Sequence, residues 1–140
     1  MFAIDASSEF GQRVLTHLRE EDVIWLTTTR PERAPQPSPV WFLWHEDHLL
    51  VCSQPNTPKV RNIAANPGVA LNFNCTPQGS DVAIMTASAE IVKQMPPTEV
   101  MDKYFTKYAR GIERLGSTPE KFIKSYSVPI RITPTSLRGY

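Results

Sequence analysis

The sequence predicts a mainly β fold, an antiparallel barrel with helices attached to its outside. Three observations lead there. Six strand-like runs, rich in β-branched and aromatic residues, outnumber the four helix-like segments. Consecutive strands are joined by short polar turns, which suits hairpins better than the helical crossovers of a parallel sheet. The 13 prolines fall between these runs and near helix starts, where a missing N–H is tolerated, and do not cluster as in a linker.

Residues 7–20 form the first element. Phe10, Val14 and Leu18 recur every four residues behind Ser7 or Ser8, giving an amphipathic helix with a side-chain cap. VIWLTTT (23–29) is the first strand, and RPERAPQPS turns the chain. Residues 39–53 read as a hairpin of PVWFLW and LLVCS, with His45, Glu46, Asp47 and His48 at its tip. In NTPKVRNIAANP, Thr57 is a natural N-cap and Pro58 suits the first helical position. Val60, Ile63 and Ala64 give that short helix its apolar stripe, and Asn66-Pro67 ends it.

GVALNFNC (68–75) alternates as a strand, TPQGSD is a loop, and VAIMTASAEIVK (82–93) is a long strand. Pro96-Pro97 opens a helix that buries Val100, Met101, Tyr104, Phe105 and Tyr108. A short helix after Thr118-Pro119 carries Phe122, Ile123 and Tyr126. VPIRITPTS (128–136) is the last strand. No internal repeat or low-complexity block interrupts residues 1–140, so a single domain is expected.

Composition narrows the function. Hydrophobic residues at 41% and charged residues at 21% are ordinary for a globular chain. A formal net charge of +1 gives no global field to recruit nucleic acid or an anionic membrane. No run approaches the roughly 20 apolar residues of a membrane span, and the N-terminus lacks the basic segment and apolar core of a signal peptide. A cytoplasmic protein is expected. Cys52 and Cys75 lie far apart within apolar runs and read as two reduced core thiols. His45 and His48 sit at a polar hairpin tip without further ligands nearby, so no metal site is expected.

Lys59 is the residue that asks for an explanation. A helix N-terminus carries unsatisfied N–H groups and partial positive charge, so a lysine in its first turn costs a few tenths to about 1 kcal/mol. One reading is a phosphate cradle of Ser53, Thr57, Lys59 and Arg61. The other is a solvated helix start with ordinary surface cations. Glycine-rich phosphate loops are absent, so the Rossmann and P-loop readings lose support, and no G-x-S-x-G nucleophile elbow occurs either. On one strand, Trp41 faces away from Phe42 and Trp44. Core packing explains these aromatics, and backbone and aromatics at Pro39–Trp41 could also wall a planar ring. A stacking surface for single-stranded nucleic acid is disfavoured by the near-neutral charge.

In order across almost the whole chain, WLTTTRPERAPQPSPVWFLW, LLVCSQPNTPKVRNIAANPGVALNF, GSDVAIMTASAEI and YFTKYARGIERLGSTPEKFIKSYSVPIRITPTSLRG resemble the pyridoxamine 5'-phosphate oxidase-like split-barrel superfamily. Within it, the resemblance is to the branch of deazaflavin (coenzyme F420)-dependent oxidoreductases. It implies a six-stranded antiparallel split β-barrel with peripheral helices and a twofold dimer holding two cofactor sites at its interface. It also implies that Lys59 contacts the cofactor phosphate, with Ser53, Gln54 and Thr57 as hydrogen-bond donors and Arg61 nearby. Main-chain groups of Ser38, Pro39, Val40 and Trp41 would meet the pyrimidine edge of the ring, and Arg138 would reach the partner's cofactor. The superfamily usually has a glycine in the turn occupied here by Pro31-Glu32-Arg33-Ala34. Its members use either FMN or the deazaflavin, and the phosphate-binding segment is similar in both.

The resemblance thus implies an FMN- or F420-dependent oxidoreductase passing a hydride to a small unsaturated or heteroaromatic substrate. The cofactor would do the chemistry. That agrees with the lack of an obvious catalytic constellation, although Tyr126 or Asp81 could orient a proton. A protein that stores or carries the cofactor without turnover would use the same pocket. A haem-binding barrel would need an axial ligand from His17, His45 or His48, all expected to be exposed.

Overall fold

The computed structural model describes residues 2–140. Helix α1 (Glu9–Glu20) leads into the hairpin β1 (Val23–Thr29) and β2 (Pro35–Trp41), then β3 (Leu43–His45) and β4 (His48–Ser53). Helix α2 (Pro58–Ala65) precedes β5 (Gly68–Asn72) and β6 (Ala83–Ile91). Three helices follow, α3 (Thr98–Lys107), α4 (Ala109–Arg114) and α5 (Pro119–Ser125), before β7 (Val128–Gly139). All pairings are antiparallel, and the single sheet runs β2-β1-β5-β6-β7-β4-β3. The sheet curls around an apolar core into the split barrel that the sequence predicts, with seven strands instead of six.

The extra strand comes from a break at Phe42, inside the run read as one strand. Its N–H donates to the Tyr108 hydroxyl at 2.8 Å, and its carbonyl accepts from Tyr108 (2.8 Å) and Lys107 Nζ (2.8 Å). A residue whose main chain is satisfied by a helix is free to leave the ladder. β3 and β4 close on Glu46-Asp47, with φ of 50° and 63°, the two positive values of a type I′ hairpin. In the β1–β2 turn, Arg33 takes φ 68°, which a glycine would adopt without strain.

Five helices form where four were expected. The chain bends at Tyr108, but the stripe Tyr104, Tyr108, Ile112 continues across the bend and stays buried. Gly116 (φ 69°) ends α4, with Ser117 N–H donating to the Ile112 carbonyl in a Schellman-type closure. β7 runs past the expected end at residue 136 because Arg138 and Gly139 still pair with Ile84 and Ala83. A bulge opposite Thr86 and Ala87 lets Pro134 sit within that strand.

Ser8 caps α1, accepting from Gly11 N–H at 2.9 Å. In α2 the stripe is corrected: Ala64 is exposed, and Asn62 is buried in its place. Asn62 Nδ2 donates to Thr28 Oγ1 (3.0 Å) and Gln36 Oε1 (2.9 Å), pinning α2 to the β1–β2 hairpin. Cys52 is buried as expected, but Cys75 is exposed, because β5 ends at Asn72 and leaves it in the following loop. The histidines are half-buried, not exposed: His17 is held by Asp81 and Glu21, and His45 lies against His48. Among the described residues no helix is long and apolar enough to cross a membrane, and no group of three or more His, Cys, Asp or Glu could hold a metal ion.

Candidate functional site

A cavity of about 270 Å³ opens where β2, the end of β4, the start of α2 and the α3–α5 helices meet. Its two ends differ in chemistry. Ser53, Gln54, Thr57 and Lys59 make the polar end. Ser53 is buried at the last position of β4; its hydroxyl donates to the Gln54 carbonyl at 2.9 Å and lies 3.2 Å from Thr57 Oγ1. Thr57 has N-cap backbone geometry, yet its side chain makes no capping bond. The first-turn N–H groups of α2 therefore lack the side-chain acceptor that a cap supplies.

Lys59 stands at the second helical position, half-buried, and no carboxylate pairs with it among the described residues. Burial lowers its pKa from the ordinary lysine value. An unpaired cation beside bare helix N–H groups and two hydroxyls is chemistry for an anion such as a phosphate. Arg61 does not line the cavity. It is exposed, and its guanidinium donates to the carbonyl of Asn56, a residue at φ 62°. Arg61 thus braces the Pro55-Asn56 turn from outside.

Trp41, Tyr104, Phe122 and Tyr126 make the aromatic end, with Pro39, Val40, Cys52 and Leu115. Trp41 stacks on Tyr108 (centroids 4.5 Å apart, planes 4° apart) and on Phe122 (5.8 Å, 19°). Phe122 in turn stacks on Tyr126 (4.4 Å, 13°). Gly111 makes the Trp41 position possible, since a Cβ there would meet the indole at 2.7 Å. Burial pushes the Cys52 thiol up to about 12, so it stays protonated and is no nucleophile near neutral pH. The Tyr104 hydroxyl is the one buried side-chain polar atom without a hydrogen-bond partner among the described residues. Leaving such a group unsatisfied costs about 1–3 kcal/mol.

Along β2 the main chain divides by alternation. Arg30 N–H donates to the Ala34 carbonyl, and two-residue periodicity then turns the main-chain groups of Gln36, Ser38 and Val40 onto β1. Pro35, Pro37 and Pro39 fall on the opposite, unpaired edge, where no N–H is needed. At the cavity this leaves the Pro39 carbonyl and the Trp41 main chain available, while Ser38 is committed to its neighbour strand and does not line the cavity. Arg138 is exposed ten positions along β7 from Val128, the partner of Ser53. It does not line its own chain's cavity. Asp81 is also remote, bound to Arg13 (2.7 Å) and His17 (3.0 Å).

The structure therefore brings Pro39, Val40, Trp41, Ser53, Gln54, Thr57 and Lys59 together and leaves Ser38, Arg61 and Arg138 apart. Sequence reasoning missed Tyr104, Phe122, Cys52 and Leu115 as cavity residues. The available signal was two tyrosines on one buried helical stripe, since a buried phenol needs a partner for its hydroxyl. A cofactor with an anionic tail and a flat conjugated ring fits what is here: a cation and bare N–H groups at one end, aromatic faces at the other.

The family model described as pyridoxamine 5'-phosphate oxidase matches residues 10–138. Among solved structures, an F420 reductase is 25% identical, with a TM-score of 0.65, covering 88% of this chain and 94% of that one. The heme storage protein HutZ from Vibrio cholerae is 16% identical, with a TM-score of 0.68 and coverage of 90% and 92%. An FAD-binding protein from Mesorhizobium loti is 14% identical, with a TM-score of 0.65 and coverage of 90% and 88%. The last two likenesses are of fold alone. No curated protein matches the chain. With nearly its whole length matched by the family model and its strands curled as in these relatives, the chain belongs to the pyridoxamine 5'-phosphate oxidase family.

Proposed function

We propose that this chain is an oxidoreductase that holds FMN or coenzyme F420 and passes a hydride to a small unsaturated or heteroaromatic substrate. The observation that carries the reading is Lys59, a half-buried cation without a carboxylate among the described residues, at the polar end of a cavity whose other end is aromatic. Lys59 and the α2 N–H groups hold the anionic tail, and Ser53, Gln54 and Thr57 add hydrogen bonds. The ring lies along the free edge of β2 at Pro39–Trp41. When bound, the cofactor supplies the hydride chemistry. The likeness to an F420 reductase supports the deazaflavin.

The working unit in this reading is a homodimer. Leu115 is 58% exposed at the cavity rim, an apolar surface that a second subunit would cover. Arg138, exposed and not lining its own chain's cavity, would serve the partner's. The haem alternative suggested by the HutZ fold is not favoured, since none of His17, His45 and His48 lines the cavity.

The test is a fluorescence titration with FMN and with F420, followed by sedimentation of the complex. Micromolar or tighter binding of one of them by a dimer is expected. Binding of neither, or binding by a stable monomer, overturns the proposal. Oxidation of the reduced cofactor by a panel of unsaturated acceptors then separates an enzyme from a carrier that binds without turnover.

A further inference from the structure

We propose that the Tyr126 hydroxyl donates a hydrogen bond to the phosphate of the bound cofactor's tail, adding an uncharged donor from the end of α5 to the charged one that α2 supplies in Lys59. The inference rests on the cofactor reading above. Three tyrosines lie in or against the aromatic cluster under α3–α5, and their hydroxyls differ. That of Tyr108 receives the Phe42 N–H and reaches the carbonyls of Asp22 (2.7 Å) and Phe42 (2.8 Å). That of Tyr104 is closed off beside the Cys52 thiol. That of Tyr126 makes no hydrogen bond among the described residues, yet it is not closed off, since Tyr104 holds the one buried side-chain polar atom left unpaired there.

Tyr126 is half-buried and lines the cavity. Burial raises the Tyr104 pKa, and the nearby Cys52, Tyr108 and Tyr126 raise it further, so the Tyr126 phenol is turned to the inner side of α5. Its place in the fold points it at the polar end. The rings of Tyr108, Trp41, Phe122 and Tyr126 stack in one row, and Tyr126 ends that row. Two residues later Val128 pairs with Ser53, the last residue of β4. The row therefore runs from the aromatic end toward the turn that carries Ser53, Gln54 and Thr57, and its last member bears a hydroxyl. A phenylalanine would stack on Phe122 equally well, so packing does not call for the oxygen. A phenol offers one donor, and a phosphate oxygen is a charged acceptor, which makes the stronger kind of hydrogen bond. FMN and F420 both carry a phosphate.

The experiment compares wild type, Tyr126→Phe and Lys59→Ala in three measurements: Tm without ligand, affinity for FMN and F420, and the phosphorus NMR resonance of whichever cofactor binds. Tyr126→Phe is expected to keep the ligand-free Tm, since the stack on Phe122 survives and no internal bond is lost. It should weaken affinity about ten- to a hundredfold, the loss of one hydrogen bond to a charged group. The bound phosphate's resonance should move, as it should in Lys59→Ala. Affinity and resonance equal to wild type, while Lys59→Ala changes both, would overturn this inference alone. Weaker binding with an unmoved resonance would place the hydroxyl on another part of the ligand and overturn it too, as would a lower ligand-free Tm, which would reveal a partner inside the protein. Wild type binding neither cofactor removes the reading under Proposed function, and this inference with it.

Discussion

The molecule has two hydrophobic cores, and they differ in kind. The barrel core is aliphatic over most of its extent, with Val14, Leu18, Ile24, Leu26, Leu71 and Ile132 at its centre. The second core, under α3–α5, is built around Tyr104, Tyr108 and Phe122, with Trp41 and Tyr126 packed against it. Strand β4 separates them: Leu49 and Val51 face the barrel, while Leu50 and Cys52 face the helices. An aliphatic core can close completely because it has no polar atoms to satisfy. The aromatic core brings hydroxyls, stacking planes and less efficient closure, and the cavity opens on this side of the sheet. The aromatic core thus supplies most of the apolar lining of the proposed binding cavity, which Ser53 and Val40 complete from the barrel side.

The largest test of that division is Leu71→Ala in the barrel core. Leu71 is fully buried, and the truncation should cost about 2–5 kcal/mol in denaturant unfolding. Cofactor affinity of the folded fraction should stay at the wild-type value; a parallel loss would show that the two cores are one cooperative unit.

Lys59→Ala asks the converse question. Affinity should fall by about 1.5–3 kcal/mol, the worth of a charge-assisted hydrogen bond, with unfolding unchanged within about 0.5 kcal/mol. The pH dependence has a defined sign. Burial places the Lys59 pKa below the ordinary lysine value, so binding should weaken as pH rises through it, and the alanine variant should lose that alkaline limb. An identical limb in the variant would assign the titration to another group.

Gly111→Ala sharpens the comparison at the seam. The added methyl would push the Trp41 indole off its stack with Tyr108. A cost of about 1–3 kcal/mol is expected for such overpacking, together with changed tryptophan fluorescence and weaker cofactor binding. Unaltered binding would show that the Trp41 wall is dispensable.

The smallest effect is expected far from the cavity, at the clamp joining α1 to the loop before β6. Burial alone would lower the His17 pKa, but hydrogen bonds to Asp81 and Glu21 and their negative charge outweigh it and raise the value above the ordinary 6.5. A raised folded pKa contributes stability that is present below 6.5 and lost as pH climbs through the folded value. The Tm should therefore decline modestly on crossing from acidic to mildly alkaline buffer, and His17→Asn should flatten that decline. A wild-type Tm that holds steady across the range would remove the clamp.

Much of the polar end was legible in the sequence because it is local. Thr57, Pro58 and Lys59 are consecutive, and the rules of helix starts make a lysine there conspicuous without any tertiary information. Arg61 was grouped with them for the same reason. Yet helical geometry carries it outward onto Asn56, away from Lys59's cavity. The aromatic end was legible only as a buried stripe, since nothing local says which tyrosine hydroxyl finds a partner.

By itself, then, the sequence determined the alternation of strands and helices, the start of α2 and the antiparallel character of the sheet. Each of these follows from periodicity, proline placement and short turns that act over a few residues. Only the tertiary structure decided that Phe42 leaves the ladder, that Ser38 spends its main chain on β1, and that Tyr108 is satisfied while Tyr104 is not. The first and largest of these joins groups far apart in the chain, Phe42 and Tyr108 at a separation of 66. A hydrogen bond across such a distance is set by how the layers pack, and no local pattern encodes it.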